Sequence, residues 1–174
     1  MWYVIQTTTG QEELLVDMIH RQIPREDYAE CFYIKRECAR KEENGWKVYV
    51  TALFPGYVFV DTKQPGEMYK ELKKIPKFSK ILKNGEETFL AVEEEERVFL
   101  ENIQSEEHLV KQSMVTLDEE KKIIAADGAV GRYLDQIVKQ RIRKRYVLVR
   151  QKFLGKERKI LLGIRLEDDV RQAE

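Results

Sequence analysis

The chain has 174 residues, of which 43% are hydrophobic and 36% are charged, and its 31 Lys and Arg residues balance its 31 Asp and Glu residues. This length suits one domain or two small ones. No apolar run approaches the roughly 18–20 residues that span a bilayer, and the start, MWYVIQTTTG, lacks the features of a secretory signal. These properties exclude a membrane-spanning protein and predict a cytoplasmic one.

The first hundred residues predict a mixture of strands and helices. Apolar residues recur at helical spacing from Gly10 to Ile23, and Asn44-Gly45 is a hairpin turn signal. Four acids at 93–96 complement the dipole of a helix that begins there. In chain order we predict strand 2–7, helix 10–23, strands 31–40, 46–53 and 57–61, helix 65–75, strand 78–82 and a helix from 93.

A polar segment, 104–113, precedes a change to short strands, and such a segment is typical of a linker. About five short strands in the remaining residues, with Asp127-Gly128 as one of their turns, predict a small β-barrel. We therefore predict an α+β protein with one domain at 1–105, a linker at 106–113 and a second domain at 114–174. The predicted strands of the second domain are 115–117, 122–126, 136–142, 146–153 and 159–166.

Charge is distributed unevenly along the chain. Residues 1–110 contain 15 basic and 21 acidic residues, whereas the remainder contains 16 and 10. Between 132 and 159, eleven Lys or Arg residues stand against two acids and are interleaved with apolar residues such as Val147 and Phe153. This pattern favours a basic surface on a folded β scaffold over a disordered basic tail, and it predicts a polyanionic partner.

The sequence lacks the patterns that are typical of enzymes. No glycine-rich phosphate loop with a Lys-Ser/Thr pair and no Gly-x-Ser-x-Gly elbow is present. The two histidines and two cysteines do not have zinc-ligand spacing. Cys31 and Cys38 fall on opposite faces of one predicted strand, where they cannot form a disulfide. We predict a binding protein with no catalytic residue, no metal and no cofactor.

Two amino-terminal segments, WYVIQ at 2–6 and LFPGYVFV at 53–60, resemble the amino-terminal domain of the NusG family of transcription elongation factors. The segment IPKFSKIL at 75–82 is similar to the next landmark of that family. The carboxy-terminal region resembles the family's KOW barrel, with Asp127-Gly128 at its opening turn and FLGK at 153–156 at a later one. The resemblance implies an antiparallel sheet with helices, followed by a small KOW-type β-barrel.

The resemblance also implies RNA polymerase as a partner. In NusG-type domains, the aromatics that match Phe54 and Tyr57 dock on the clamp helices of the largest polymerase subunit. Pro55-Gly56 allows a sharp turn that would present both rings at a strand entrance, although spacing alone is equally consistent with two core aromatics. The resemblance assigns polymerase binding to Phe54 and Tyr57, with Gln6 and Ile81 at the rim.

The barrel region departs from general members of the family. It carries the long basic run, and Asp135 or Gln136 occupies the region of an expected glycine. In this respect the chain resembles specialised paralogues such as the LoaP group, which are antiterminators of selected operons and use the barrel to bind structured RNA in the nascent leader. Either Tyr133 or Tyr146 could stack on an unpaired base or lie in the core.

Arginine suits this task because its planar guanidinium can bind phosphate through two hydrogen bonds or reach guanine. We predict that Arg141, Arg143 and Arg145 alternate along one strand face. The candidate RNA-binding residues are Arg132, Lys139, Arg141, Arg143, Lys144, Arg145, Lys152, Arg158 and Lys159.

From these residues and the resemblance we predict a monomeric antitermination factor. Its first domain would bind RNA polymerase, and its second would bind a leader RNA hairpin. One alternative is a general elongation factor whose barrel binds a ribosomal or termination protein. The other is a ribosome-associated RNA-binding protein.

Overall fold

The computed structural model describes residues 1–76 and 89–169. These residues divide into two compact units, the first containing residues 1–34, 54–76 and 89–97 and the second residues 35–53 and 98–169. No helix in the described ranges is both long and apolar enough to cross a bilayer. In chain order the elements are β1 (Trp2–Gln6), α1 (Glu12–Gln22), β2 (Glu30–Phe32), β3 (Lys35–Glu42), β4 (Gly45–Ala52), β5 (Tyr57–Asp61), α2 (Pro65–Lys73), β6 (Phe89–Ala91), α3 (Glu94–Ile103), β7 (Leu109–Val110), β8 (Ser113–Leu117), β9 (Ile123–Ala126), α4 (Gly128–Arg132), β10 (Ile137–Arg141), β11 (Tyr146–Phe153) and β12 (Lys156–Leu166).

The first unit is built on a four-stranded antiparallel sheet in the order β2-β5-β1-β6. Side chains on one face of β1 and β5 form a buried cluster with apolar residues of α1 and α2. The spacing of Leu15 and Ile19 places both on the inner side of α1, where neither is exposed. The predicted strands at 2–7 and 57–61 and the predicted helices at 10–23 and 65–75 are confirmed with small shifts in their ends.

The second unit contains two sheets. Five strands form a curled half-barrel in the order β10-β11-β12-β8-β9, and three strands form a smaller sheet in the order β4-β3-β7. The pairs β12–β8 and β3–β7 are parallel, whereas the other pairs in these sheets are antiparallel. Strand β11 has the predicted bounds, and the hairpin predicted at Asn44-Gly45 is confirmed as β3–β4.

Three predicted elements differ from the structure. The strand predicted at 31–40 is two strands, because β2 pairs with β5 in the first unit whereas β3 pairs with β4 in the second. The turn predicted at Asp127-Gly128 is followed by α4, whose Val130 N–H donates to the buried Ser113 hydroxyl. The segment predicted as a linker contains β7, which pairs with the start of β3. The domain bounds remain a prediction. The strand predicted at 78–82 lies outside the described residues.

Candidate functional site

The turn before β5 depends on Gly56, which has a φ of +84°. A Cβ at this position would lie 2.6 Å from the carbonyl oxygen of Thr7, a separation too short for any other residue. The Thr7 N–H donates to the Gly56 carbonyl at 2.7 Å. Glycine is therefore required both by the left-handed backbone and by the close approach of the chain after β1.

The buried carboxylate of Glu12 holds this turn against the start of α1. Its Oε1 accepts hydrogen bonds from the Gly56 N–H at 3.0 Å and the Gly10 N–H at 2.9 Å, and Oε2 also lies 3.0 Å from the Gly10 nitrogen. A buried acid is tolerated when backbone donors satisfy its oxygens. This arrangement fixes the position of the two aromatic rings that flank Pro55-Gly56.

Phe54 and Tyr57 stack with ring centroids 6.0 Å apart, and both are half-buried. Phe54 also lies 6.3 Å from the ring of the fully buried Phe59. Gln6 pairs with Tyr57 across β1 and β5, so the structure brings together three of the four predicted polymerase-binding residues. Ile81 lies outside the described residues.

The second candidate surface is the outer face of β10, β11 and β12. Val149 and Ile160 are paired and buried, so the neighbouring pair Arg150–Lys159 lies on the opposite face. The pairing of Lys139 with Leu148 and of Arg141 with Tyr146 places both cations on that same face. We call this surface the basic face. Its cationic residues are Lys139, Arg141, Arg150, Lys152 and Lys159.

The alternation predicted for Arg141, Arg143 and Arg145 is wrong. Arg141 ends β10, residues Ile142–Lys144 form a 3-10 turn, and Arg145 adopts a left-handed conformation with a φ of 58°. Antiparallel β10 and β11 require a chain reversal here, and a 3-10 turn rotates successive side chains by about 120°. The exposed Arg143 and Lys144 lie in the turn, and neither pairs with an acid in the described part of the chain.

Arg145 is committed to contacts inside the second unit. Its Nε and Nη2 donate to the two carboxylate oxygens of Asp169 at 2.8 and 2.7 Å, and its guanidinium lies 4.2 Å from the ring centroid of Trp46. Burial alone would raise the pKa of Asp169. The hydrogen bonds from Arg145 and the Leu166 N–H, with the charges of Arg145 and Lys41, outweigh burial and lower that pKa. Arg145 therefore fixes the turn.

Two other predicted RNA-binding cations also make internal hydrogen bonds. Arg132 donates to the carbonyl of Asn102, and Arg158 donates to the carbonyl of Phe153 at 3.0 Å. Tyr133, one of the two predicted stacking residues, packs edge-on against Phe99 at 4.7 Å. Among the nine predicted cations, four lie on the basic face, two in the 3-10 turn, and three have partners within the unit.

The sequence analysis did not predict that the β3–β4 hairpin forms part of a cleft. Its residues line a cleft together with the 142–144 turn and the start of β11, with a volume of about 450 Å³. The detectable signal was the interleaving of Arg40 and Lys41 with Trp46 and Tyr49 around the Asn44-Gly45 turn. The lining residues are Arg36, Cys38, Ala39, Arg40, Lys41, Trp46, Tyr49, Thr51, Arg143, Lys144, Arg145, Tyr146 and Leu161.

The cysteines do not form a reactive or metal-binding centre in the described ranges. Cys31 and Cys38 are buried, free thiols, and no cluster of potential metal ligands was found among the residues that the structure describes. Burial, reinforced by the charge of Glu30, raises the pKa of the Cys31 thiol to about 12. A thiol with this pKa stays protonated at neutral pH and is a poor nucleophile.

The part of the chain that matches a known family includes the first candidate surface but not the basic face. A family model described as "Transcription termination factor nusG" matches residues 1–101, which is more than half of the chain. The match includes the Phe54–Tyr57 turn and the β3–β4 hairpin, whereas the basic face lies beyond it. A search of curated proteins found no match.

Proposed function

We propose a function that proceeds from one fact: the chain belongs to the NusG family. Members of this family are transcription elongation and antitermination factors in general, and their amino-terminal domain generally binds RNA polymerase. We infer that the polymerase surface of this chain contains Phe54 and Tyr57, with Gln6 and Ile81 as the rim residues that the resemblance implies, and that it docks on the clamp helices of the largest subunit. The stacked, half-buried rings held by the Gly56 turn support this assignment.

We further propose that the half-barrel of the second unit, strands β8 to β12, is a KOW-type module that binds a structured nascent RNA. The observation that carries this proposal is the basic face, which gathers five cations from three neighbouring strands around one acid, Glu157, whose Oε1 lies 3.5 Å from the Arg150 Nε. The exposed Arg143 and Lys144 extend it at one end. A compact surface of this kind suits phosphates and 2′-hydroxyls of an A-form stem, since side chains cannot read its deep, narrow major groove.

The resulting function is that of a specialised antitermination factor similar to the LoaP group. The chain would act in the cytoplasm as a monomer, by binding rather than by catalysis and without a cofactor. The predicted domains at 1–105 and 114–174 would hold polymerase and RNA respectively. Tethering both partners through one chain raises the local concentration of one for the other to about the millimolar range.

A salt titration of the full-length chain tests this proposal. Binding to a labelled RNA hairpin is followed by fluorescence anisotropy over a series of KCl concentrations. Each neutralised phosphate contributes about 0.7 to 0.9 to the negative slope of log K against log[salt], so about six contacts predict a slope near −4 to −5. Replacing Lys139 and Arg141 by Ala should flatten the slope by about 1.5.

The matched control is the double variant Lys63→Ala/Lys70→Ala, which removes two exposed cations from the first unit. We expect this control to keep the wild-type slope. A flat salt response, or no binding at low ionic strength, would contradict RNA binding. It would favour the general elongation factor whose barrel binds a protein, for which Leu148 and Leu161 on the same face would provide apolar contacts.

A further inference from the structure

The cleft beside the β3–β4 hairpin has the size and chemistry of a ligand site. Its volume of about 450 Å³ lies within the range of roughly 300–1,000 Å³ that is common for small-ligand pockets. Six cations line it, and no acid does so among the described residues. Glu42 pairs with Arg40 at 2.9 Å and Asp169 pairs with Arg145, so the cations outnumber the two nearby acids. An anionic ligand is therefore favoured.

The cleft also contains aromatic rings that are accessible from solvent to different degrees. Trp46 is 9% exposed and lies beneath Arg145, with the Lys41 ammonium 5.3 Å from its ring centroid. Tyr49 is 39% exposed and has the Arg40 guanidinium 5.9 Å from its ring centroid. An exposed ring with a cation beside it is an arrangement on which proteins stack unpaired bases while neighbouring side chains bind phosphate.

The walls of the cleft are held by contacts within the second unit. The Arg36 Nη1 donates to the Leu161 carbonyl at 3.2 Å, and Nε donates to the Thr51 hydroxyl at 3.3 Å. Gly163 allows β12 to approach β3, because a Cβ there would lie 2.2 Å from the Glu37 carbonyl oxygen. The cleft is therefore already formed in the free chain, so little ordering of the protein would oppose binding.

We propose that this cleft binds an unpaired nucleotide of the RNA whose paired stem lies on the basic face. The inference rests on the proposed function. It identifies the part of the RNA that the β3–β4 hairpin of the protein contacts. Tyr146 and Leu161 line the cleft and also belong to the face that carries Lys139 and Arg141, so the two surfaces are continuous. The base of this nucleotide would stack on Tyr49. Arg143, Lys144 and Lys41 would contact the backbone phosphates on either side of the nucleotide.

The test compares two RNAs on the full-length chain. One is a labelled hairpin with a stem of about ten base pairs and a loop of about six uridines, and the other is the same stem as a blunt duplex. Tyr49→Ala and Lys41→Ala should each lower affinity for the hairpin by about 10-fold and affinity for the duplex by less than about 2-fold. Stacking tolerates any base, so a uridine loop is a sufficient probe.

Two substitutions provide matched controls. Tyr49→Phe keeps the ring and should retain hairpin binding. Lys47→Ala removes an exposed cation that lies opposite Arg40 on β4 but does not line the cleft, and it should also bind like the wild type.

A second measurement does not depend on the stability of the variants. Photo-crosslinking of the wild type to 4-thiouridine in the loop should label the peptide that contains Trp46 and Tyr49.

The outcomes separate this inference from the proposed function. Two outcomes would overturn the cleft site alone, provided that the wild type binds RNA with the expected salt dependence. In the first, the cleft variants keep the wild-type affinity for the RNA hairpin. In the second, they lose affinity equally for the RNA hairpin and the duplex. A crosslink found only outside the β3–β4 hairpin of the protein would also overturn the cleft site. If the wild type binds neither RNA at low ionic strength, the cleft site and the proposed RNA-binding function both fail.

Discussion

At the scale of single residues, Gly56 and Glu12 determine the shape of the proposed polymerase surface. The left-handed Gly56 delivers its N–H to the Glu12 carboxylate, and the same carboxylate accepts from Gly10 at the start of α1. One acid therefore satisfies backbone donors from two segments that are distant in sequence. Loss of the Glu12 carboxylate would leave the buried Gly56 N–H without its acceptor, which costs more than the loss of an exposed contact.

We predict that Gly56→Ala lowers the free energy of unfolding by at least about 2 kcal/mol, because the added Cβ meets the Thr7 carbonyl and the positive φ is strained. Urea denaturation measures this loss. Gly66→Ala is the control, since it lies in α2 with open space around its Cβ position. Ala should leave stability unchanged or raise it slightly there. Equal stabilities of the two variants would contradict the assigned role of Gly56.

Tyr57→Ala should weaken binding to RNA polymerase by about 10-fold or more, since tyrosines at the centre of interfaces contribute strongly to affinity. A pull-down with polymerase core enzyme, combined with a thermal melt, measures binding and folding together. Tyr69→Ala is the control because Tyr69 is a half-buried tyrosine of α2 in the same unit. Unchanged binding by Tyr57→Ala, or a loss that appears only with a collapsed melt, would place Tyr57 in the core.

Asp169→Asn should destabilise the chain by about 3 kcal/mol, because it leaves the largely desolvated Arg145 guanidinium without its carboxylate. The lowered pKa of Asp169 means that the pair's contribution is fully present above the unfolded-state pKa. It is lost as the pH falls through the folded-state pKa, below the ordinary value of 3.8.

Chemical denaturation at several pH values measures this difference. The difference in the free energy of unfolding between the wild type and Asp169→Asn should be constant near neutral pH and should disappear in strong acid. The exposed neighbour Asp168 supplies the control, and Asp168→Asn should match the wild type throughout. A gap that does not change with pH would show that the Arg145–Asp169 charge pair is not its cause.

At the scale of elements, local patterns predicted most strands but not their partners. The alternation of Val147, Val149 and Phe153 predicted β11, and the Asn44-Gly45 signal predicted the β3–β4 hairpin. The interleaving of basic and apolar residues between 132 and 159 predicted a basic surface on a β scaffold, and the register of β10, β11 and β12 places five cations on one face. These features were accessible because they depend on residues close in sequence.

The missed features depend on contacts between distant segments. The Asn44-Gly45 turn signal predicted one strand at 31–40 before it, but pairing with β5 and with β4 divides that segment between two sheets. Helix α4 was missed because its five residues carry little helical periodicity, and it is held by the Ser113 hydroxyl. The cleft was missed because no local pattern shows that β3 lies beside the 142–144 turn. Periodicity identifies a face but not what packs against it.

At the scale of the whole molecule, the compact units do not follow the order of the chain. The β3–β4 hairpin falls within the segment that matches the NusG family, yet it belongs to the second unit with the half-barrel. The hairpin segment 35–53 contains five Lys or Arg residues and three acids, so it adds positive charge to the unit that carries the basic face. The charge division at Val110 in the sequence therefore understates the extent of the basic surface.

This arrangement makes a prediction about the fragment of residues 1–106. In the full chain, Glu37 accepts a hydrogen bond from the Gln112 N–H at 2.9 Å, Arg36 donates to Leu161, and β3 pairs with β7. The fragment lacks all of these partners, and an isolated two-stranded hairpin is at best marginally stable in water. We expect slow amide exchange to persist in β1 and β5 of the fragment, whereas amides of β3 and β4 exchange rapidly.

Hydrogen exchange followed by NMR measures both sets of amides, with the full-length chain as the reference. Gly163→Ala in the full-length chain provides an independent arm. The added Cβ would lie 2.2 Å from the Glu37 carbonyl oxygen, so it should force β12 away from β3 and reduce protection of the hairpin while sparing β1 and β5. Hairpin amides that are equally protected in the fragment and the full chain would show that β3 and β4 do not need the second unit. In that case the cleft wall would be a property of the hairpin alone, and Gly163→Ala would leave its protection unchanged.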